Sequence, residues 1–270
     1  QATSERRVLE GCWSIHLMAS PHPYLETTKP IAFAHRGGTS AAPENSMRAF
    51  QHAVDLGYRY LETDVHATSD GHVVAFHDND LQRTCGSSLK IADATIDELS
   101  TARIDGTDPI PMLIEILDAW PEVNLNIDCK SDAVVAPLIQ QLRTSKCLDR
   151  VCIGSFSDQR LARIREEFGS SVCTSMGPRE VAALVLGTHA RIPLRPTKHA
   201  LVAQVPVRQG PIPVVTKRTV QRAHDLGLFV HVWTIDDPQE IGRLLDLGAD
   251  GIMSDDTIAL RDVFSARGIW

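Results

Sequence analysis

Acidic, basic and imidazole side chains recur at the ends of short apolar segments. One such segment carries Glu62 and Asp64 two residues apart, so in a strand both carboxylates, and His66 with them, leave the same face. Two carboxylates this close raise each other's pKa unless a cation joins them. Oxygen ligands of this kind suit Mg²⁺ or Ca²⁺. The alternative is an ion pair with Arg36 or Lys130.

An earlier apolar segment ends in the sequence His35-Arg36-Gly37-Gly38. The glycines allow the backbone to approach a ligand closely, and the Arg36 guanidinium can bind a phosphate with two hydrogen bonds. His35 is then a candidate acid or base, although a histidine at a strand end is often a packing residue. The neighbouring arginine and glycines favour the functional interpretation.

A second candidate, His77, follows a hairpin whose tight turn is Asp70-Gly71. The hairpin folds back over the strand that carries Glu62 and Asp64, so we expect His77 to lie near both carboxylates. Two histidines can divide the cleavage of a phosphodiester, one taking a proton from the nucleophile and the other giving a proton to the leaving oxygen. The alternative for His77 is a surface position without function.

A third segment places Asn126, Asp128 and Lys130 on one face. Asp128 could complete a metal site, and Lys130 could contact a phosphate oxygen as a point charge. An ion pair between these two side chains is the alternative. Trp233 ends a later segment and could form a wall of the substrate site, although packing explains a tryptophan there nearly as well.

From Lys29 onward, apolar β-branched segments alternate with segments of helical periodicity, which predicts βα units around a parallel sheet. The strand candidates are Ile31–Arg36, Tyr60–His66, Asn124–Lys130, Val151–Phe156, Val172–Met176, Leu201–Val205, Phe229–Ile235 and Gly251–Ser254. The helix candidates are Glu44–Leu56, Ala133–Thr144, Asp158–Phe168, Arg179–Leu186, Lys217–Leu226, Pro238–Leu247 and Ile258–Ala266. This count predicts an α/β fold, a (β/α)8 TIM-type barrel. No Gly-x-Gly-x-x-Gly supports a dinucleotide-binding sheet instead.

Residues 78–111 interrupt this alternation, since apolar periodicity is confined to Ile96–Ile104. We therefore expect a small insertion after the second strand, on the catalytic face of the barrel. One barrel domain would span residues 29–270. Residues 1–28 are expected to form an N-terminal extension, partly disordered or foreign to the natural protein.

The composition of the chain argues against some classes of binding partner. A net charge of -7 in 270 residues argues against nucleic-acid binding, which usually needs a concentrated basic surface. The six cysteines form no CxxC pair, which favours reduced thiols in the cytoplasm. No apolar stretch reaches the roughly 18 residues that a membrane span requires, so we expect no stable membrane insertion. The sequence leaves the oligomeric state open, a homo-oligomer included.

Taken in order, the motifs resemble the glycerophosphodiester phosphodiesterase family. The matching segments are His35-Arg36-Gly37, Pro43-Glu44-Asn45-Ser46, Glu62-Thr63-Asp64, Asp70-Gly71 and His77-Asp78. Further segments that look like the family are Leu81-Gln82-Arg83-Thr84, Ile110-Pro111-Met112-Leu113, Val232-Trp233-Thr234 and Gly248-Ala249-Asp250-Gly251-Ile252. The resemblance spans roughly residues 31 to 255.

The resemblance implies a TIM-type barrel that hydrolyses glycerophosphodiesters to glycerol 3-phosphate and an alcohol. It also implies that His35 and His77 are the acid–base pair. In the mechanism usually proposed for the family, the neighbouring glycerol hydroxyl attacks phosphorus and gives a cyclic phosphate that water then opens. Arg36 and Lys130 would stabilise the charge of the phosphorane.

The implied metal ligands are Glu62, Asp64 and the acidic residue of the third strand. The family usually has Glu-x-Lys in that strand, whereas this chain has Asp128 before Cys129 and Lys130. The shorter carboxylate must reach about one methylene further, which affects metal affinity or ion choice. Other departures, which remove no proposed acid, base or phosphate contact, are Ser46, Met112 and Asp236.

Three other functions are disfavoured by the sequence. A zinc amidohydrolase would normally carry a His-x-His pair, and the sequence contains none. A lysophospholipase D or sphingomyelinase D-like lipid phosphodiesterase is a closer alternative, but residues 78–111 are not conspicuously apolar, which favours a soluble headgroup diester. A barrel that binds a phosphate ligand without turnover is disfavoured because both histidines and the acidic pair are retained.

Overall fold

The computed structural model describes residues 21–193 and 199–270, which form a barrel of parallel strands. The barrel order is β6-β5-β4-β2-β1-β11-β10-β7, and a parallel bridge between Ser175 and Val202 closes it. β3 pairs antiparallel with β2, and β8 with β9. The strands are β1 Ile31–Ala34, β2 Tyr60–Ala67, β3 Val73–Ala75, β4 Asn124–Cys129, β5 Val151–Gly154, β6 Cys173–Thr174, β7 Val202–Pro206, β8 Arg208–Gln209, β9 Ile212–Pro213, β10 Phe229–Trp233 and β11 Gly251–Ser254.

Helices follow the barrel strands, as the alternation in the sequence predicts. They are α1 Met47–Asp55, α2 Gln82–Cys85, α3 Ile96–Leu99, α4 Leu113–Ala119, α5 Val135–Ser145, α6 Asp158–Phe168, α7 Pro178–Ala190, α8 Lys217–Asp225, α9 Pro238–Asp246 and α10 Thr257–Ala266. The (β/α)8 TIM-type prediction is thus confirmed. Among the described helices, none is both long and apolar enough to cross a bilayer.

The first helix begins three residues later than predicted because Ser46 caps it. The Ser46 hydroxyl accepts a hydrogen bond from the Ala49 backbone N–H at 3.1 Å, which satisfies a donor that the first helical turn leaves unpaired. Glu44 is therefore free of the helix and stands in the loop between β1 and α1. This placement allows its carboxylate to bind two arginines, Arg36 and Arg83.

The predicted insertion has a small hydrophobic core of its own. Its buried side chains are Val74, Phe76, Leu81, Ile91, Ala94, Leu99 and Ile104. The short helices α2 and α3 supply part of this core, and both lie between β3 and α4. The insertion after the second strand is thereby confirmed, although the hairpin strand β3 is its first element.

Residues 21–28, which were predicted to belong to the extension, include a buried turn. Tyr24 and Leu25 are almost fully buried and pack against Ile31 and Phe33. Tyr60 is the first residue of β2, and its hydroxyl donates to the Tyr24 carbonyl at 2.8 Å. This turn therefore closes the amino-terminal end of the barrel, while residues 1–20 lie outside the described residues.

Candidate active site

The carboxyl ends of β1, β2 and β4 bring the predicted polar residues together. β2 and β4 pair in parallel with Asp64 opposite Asp128, so these two carboxylates start from neighbouring backbone positions. His35 follows β1 directly, in the turn His35–Gly37. Because β1 pairs with β2, this turn lies beside Glu62.

His35 is held by an aspartate from the last barrel strand. Its Nδ1 donates to Asp255 Oδ1 at 2.7 Å, and its Nε2 lies 3.7 Å from Glu62 Oε2. Burial disfavours the imidazolium, but Glu62 and Asp255 outweigh it and raise the pKa of His35. Asp236 accepts a hydrogen bond from the Asp255 backbone N–H at 2.9 Å and so fixes the loop that carries Asp255.

The turn after β1 requires its glycine. Arg36 has φ 52° and Gly37 has φ 81°, both in the left-handed region that side chains rarely adopt. A Cβ on Gly37 would lie 2.8 Å from backbone atoms of Ala49 and Phe50 in α1. Close packing of this turn on α1 brings the Arg36 N–H within 3.1 Å of Glu62 Oε2.

Both predicted phosphate-binding cations are paired with carboxylates. Arg36 Nε lies 3.0 Å from Asp64 Oδ2, and Lys130 Nζ lies 3.1 Å from Asp64 Oδ1. Lys130 Nζ is also 3.2 Å from Asp128 Oδ2. The ion pairs that the sequence left open as alternatives are therefore present.

These cations do not neutralise every buried carboxylate. Burial and the adjacent Asp64 raise the pKa of Glu62 to about 8. Burial also raises the pKa of Asp128, which Lys130 only partly offsets. Lys130 and Arg36 outweigh burial at Asp64 and lower its pKa. The site therefore favours an additional positive charge near Glu62 and Asp128.

Glu62, Asp64 and Asp128 are the candidate ligands of a divalent cation. No three metal-binding side chains are already grouped around a metal position in residues 21–193 and 199–270. Asp128 Oδ1 is nevertheless buried and, within the same residues, has no hydrogen-bond partner. The charge and oxygen chemistry of Glu62, Asp64 and Asp128 fit a hard cation. The metal set therefore stays a prediction.

His77 approaches the same carboxylates from the insertion side. The backbone N–H of Phe76 donates to the Asp64 carbonyl at 2.9 Å, which places His77 next to Asp64. Its Nδ1 donates to Asp78 Oδ1 at 2.6 Å, and its carbonyl accepts from His66 Nε2 at 3.1 Å. Both predicted catalytic histidines thus bind an aspartate through Nδ1, which leaves Nε2 for proton transfer.

An aromatic pair lies on the other side of the barrel mouth. The rings of Phe156 and Trp233 are 5.6 Å apart and nearly perpendicular, at the ends of β5 and β10. Lys130 Nζ lies 5.9 Å from the Phe156 ring centroid. Phe156 is 67% exposed, so it is available to a bound molecule. The predicted wall at Trp233 thus has a second ring that the sequence did not reveal.

Several supporting residues were not predicted. Asn45 is buried, accepts from the Thr63 hydroxyl at 2.7 Å and lies 3.4 Å from Asp64 Oδ2. Asp255 could have been proposed from its place after the last barrel strand, since barrel active sites use residues at strand carboxyl ends. Asp78 directly follows His77 in the sequence, and this adjacency could have indicated that its carboxylate binds the imidazole.

The sequence model of the glycerophosphoryl diester phosphodiesterase family matches residues 35–259. The chain belongs to this family. A Mycobacterium tuberculosis protein named probable glycerophosphodiester phosphodiesterase 2 is 38% identical over 245 residues, which are 89% of this chain and 92% of that protein. A Homo sapiens lysophospholipase D is 27% identical over 266 residues, 85% of this chain and 84% of that protein.

A solved phosphodiesterase structure shares the fold. The Oleispira antarctica phosphodiesterase in complex with the product sn-glycerol-3-phosphate superposes with a TM-score of 0.73 at 20% identity. The match covers 88% of this chain and 97% of that chain. The fold likeness supports the barrel, and the family match together with the Mycobacterium tuberculosis relative confirms the predictions of the phosphodiesterase family and of an enzyme.

Proposed function

We propose that this phosphodiesterase hydrolyses glycerophosphodiesters to glycerol 3-phosphate and an alcohol at the mouth formed by β1, β2 and β4. The observation that carries the proposal is the pair of histidine–aspartate contacts on either side of Glu62 and Asp64. Arg36 supplies positive charge between them. This arrangement can move two protons at one phosphorus atom, which the displacement of an alkoxide requires.

In the first step, the glycerol hydroxyl next to the phosphate attacks phosphorus. His77 Nε2 takes the hydroxyl proton as the new P–O bond forms. The P–O bond to the alcohol breaks, and His35 Nε2–H gives its proton to the leaving oxygen. The raised pKa of His35 favours this assignment, because the residue is protonated more readily than an ordinary histidine.

In the second step, water opens the cyclic phosphate. Its oxygen bonds to phosphorus while its proton goes to His35 Nε2. The ring P–O bond breaks, and the glycerol oxygen recovers a proton from His77. Both histidines thus return to their starting protonation states, and glycerol 3-phosphate leaves. Arg36 and Lys130 would stabilise the negative charge of each pentacoordinate state.

A divalent cation, Mg²⁺ or Ca²⁺, is part of the proposal. Glu62, Asp64 and Asp128 would hold it, and its charge would polarise the phosphoryl oxygens. The support is the uncompensated negative charge of this group and the buried Asp128 oxygen that has no hydrogen-bond partner among the described residues. Lys130 would then share Asp64 and Asp128 with the cation.

A lipid substrate is the second candidate, as the relative named lysophospholipase D suggests. The observation in its favour is Phe156, a large apolar side chain that is mostly exposed at the mouth beside Trp233. An acyl chain could pack against these rings. The insertion at residues 78–111, whose sequence is not conspicuously apolar, favours the soluble diester instead.

The test is hydrolysis of glycerophosphocholine, lysophosphatidylcholine and bis-p-nitrophenyl phosphate by the purified protein, with and without EDTA. We expect glycerol 3-phosphate and choline from glycerophosphocholine, and loss of the activity in EDTA. A preference for lysophosphatidylcholine would support the lipid candidate. Activity that is unchanged by EDTA would remove the cation from the proposal, and no turnover of any diester would refute the proposed function.

A further inference from the structure

Arginine–carboxylate pairs hold the insertion to the barrel at two separate places in the described chain. Arg83, on α2, binds Glu44 with Nη1–Oε2 and Nη2–Oε1 distances of 2.9 and 2.6 Å. Arg48, on α1, binds Asp108 with Nε–Oδ1 and Nη2–Oδ2 distances of 3.1 and 2.6 Å. Both arginines are about half exposed, so the two pairs are alike in kind.

Arg83 differs from Arg48 because its third donor binds Asp78, the aspartate that accepts a hydrogen bond from His77. Its Nε donates to Asp78 Oδ2 at 2.6 Å, and Asp78 Oδ1 accepts from His77 Nδ1 at 2.6 Å. A carboxylate that is bound through both oxygens keeps one orientation. The ring orientation and tautomer of His77 are therefore set by the carboxylate that Arg83 holds.

The same guanidinium also acts on Arg36. Glu44 Oε1 accepts from Arg83 Nη2 and, at 3.0 Å, from Arg36 Nη1. Arg36 in turn contacts Asp64, as described above. One residue of the insertion thus connects His77 on one side of the mouth with Arg36 on the other.

We propose that Arg83 is a positioning residue that orients His77 through Asp78 and Arg36 through Glu44. The role rests on the proposed function of His77 and Arg36. Its geometry favours arginine, because the guanidinium offers Nη1 and Nη2 to Glu44 and still has Nε for Asp78, whereas lysine has a single nitrogen and cannot reproduce this fork. The insertion is thus a part of the catalytic apparatus, beyond forming the rim of the substrate site.

The test compares Arg83→Met with Arg48→Met, which removes a similar pair away from the histidines. We expect Arg83→Met to lower kcat by about 10- to 100-fold and to raise KM, as loss of a supporting hydrogen-bond partner typically does. Arg48→Met should keep kcat within about twofold of wild type. Arg83→Lys should fall between the two. In an Asp78→Asn background, Arg83→Met should cost less in kcat than it does in the wild type, because the connection to His77 is already broken and only the connection through Glu44 remains to be lost.

An NMR measurement without substrate separates this inference from the proposed function. The Nδ1–H signal of His77, assigned by its loss in His77→Ala, should be present in wild type and Arg48→Met but absent in Arg83→Met. An unchanged signal in Arg83→Met would overturn the inference, as would equal kcat losses in Arg83→Met and Arg48→Met. Failure of the wild type to hydrolyse any glycerophosphodiester would refute the proposed function, while the NMR signal would still decide the role of Arg83.

Discussion

Replacing Gly37 by alanine tests whether the close packing of the turn His35–Gly37 on α1 positions the candidate active site. Gly37 has φ 81°, and an added Cβ would lie 2.8 Å from α1 backbone atoms. Backbone cannot move aside as a flexible side chain can. Gly71 is the matched control, because it has φ 87° and a Cβ there would meet nothing within 4 Å.

The expected magnitudes follow from these two environments. Both alanine variants adopt a left-handed backbone conformation, which costs about 1 kcal/mol. Gly37→Ala adds an overpacking cost of about 2 kcal/mol, so its free energy of unfolding should fall by about 3 kcal/mol. For a domain of this size, Tm should drop by about 6–12 °C in Gly37→Ala and by about 2–4 °C in Gly71→Ala.

Thermal and urea unfolding measure the stability, and kcat on glycerophosphocholine measures the site. The added Cβ can avoid the α1 backbone only if the turn that carries His35 and Arg36 moves. Gly37→Ala should therefore also lower kcat in the molecules that remain folded. Gly71→Ala should retain kcat. Equal losses of stability in the two variants would refute the packing argument, and full activity in a destabilised Gly37→Ala would separate the turn from catalysis.

The remaining predictions concern the proton transfers and the cation. His35→Ala and His77→Ala should each lower kcat by at least ~10²-fold with folding intact, whereas His224→Ala, which removes a histidine–aspartate pair outside the mouth, should not. If His35 protonates the leaving oxygen, His35→Ala should lose far less activity on a diester with a p-nitrophenol leaving group; an equal loss would reassign that role. The cation competes with the proton on Glu62, whose pKa is raised to about 8. Calorimetry should therefore show that the affinity for the cation rises about tenfold per pH unit from about pH 6 toward about pH 8. A pH-independent affinity over that interval would contradict Glu62 as a ligand.

The fold was largely predictable because each barrel strand is an apolar segment followed by a helical one. The helix α4 was missed because its seven residues are too few for a periodic pattern to stand out, and Pro111 precedes it closely. The burial of Tyr24 was missed for a different reason. Its contacts are with strands that follow it in the chain, and a short turn has no periodicity that would reveal them.

The site was predictable where its residues are close in sequence. Glu62 and Asp64 share one face of one strand, and His77 follows the same hairpin. The pairing of Asp255 with His35 was not predicted, because the two residues lie 220 positions apart and meet only when the last barrel strand pairs with the first. Arg83 was part of a recognised segment, but its two carboxylate partners depend on how the insertion folds over the barrel.

The sequence also left the ion pairs undecided for a physical reason. The same carboxylates can bind a cation, an arginine or a lysine, and residue spacing does not distinguish these partners. The structure shows Asp64 between Arg36 and Lys130, which accounts for its lowered pKa. Glu62 is 3.7 Å from His35 Nε2, but burial and Asp64 outweigh this contact and raise the pKa of Glu62, which is why Glu62 carries the main argument for a metal.

The most direct test of the whole account is hydrolysis of glycerophosphocholine in H₂¹⁸O, followed by ³¹P NMR and mass spectrometry. If two imidazoles act at one phosphorus atom, the P–O bond to choline breaks, and ¹⁸O appears in the phosphate of glycerol 3-phosphate and not in choline. A five-membered cyclic phosphate should also be detectable before it opens. Label in choline, or release of phosphocholine and glycerol, would contradict the account.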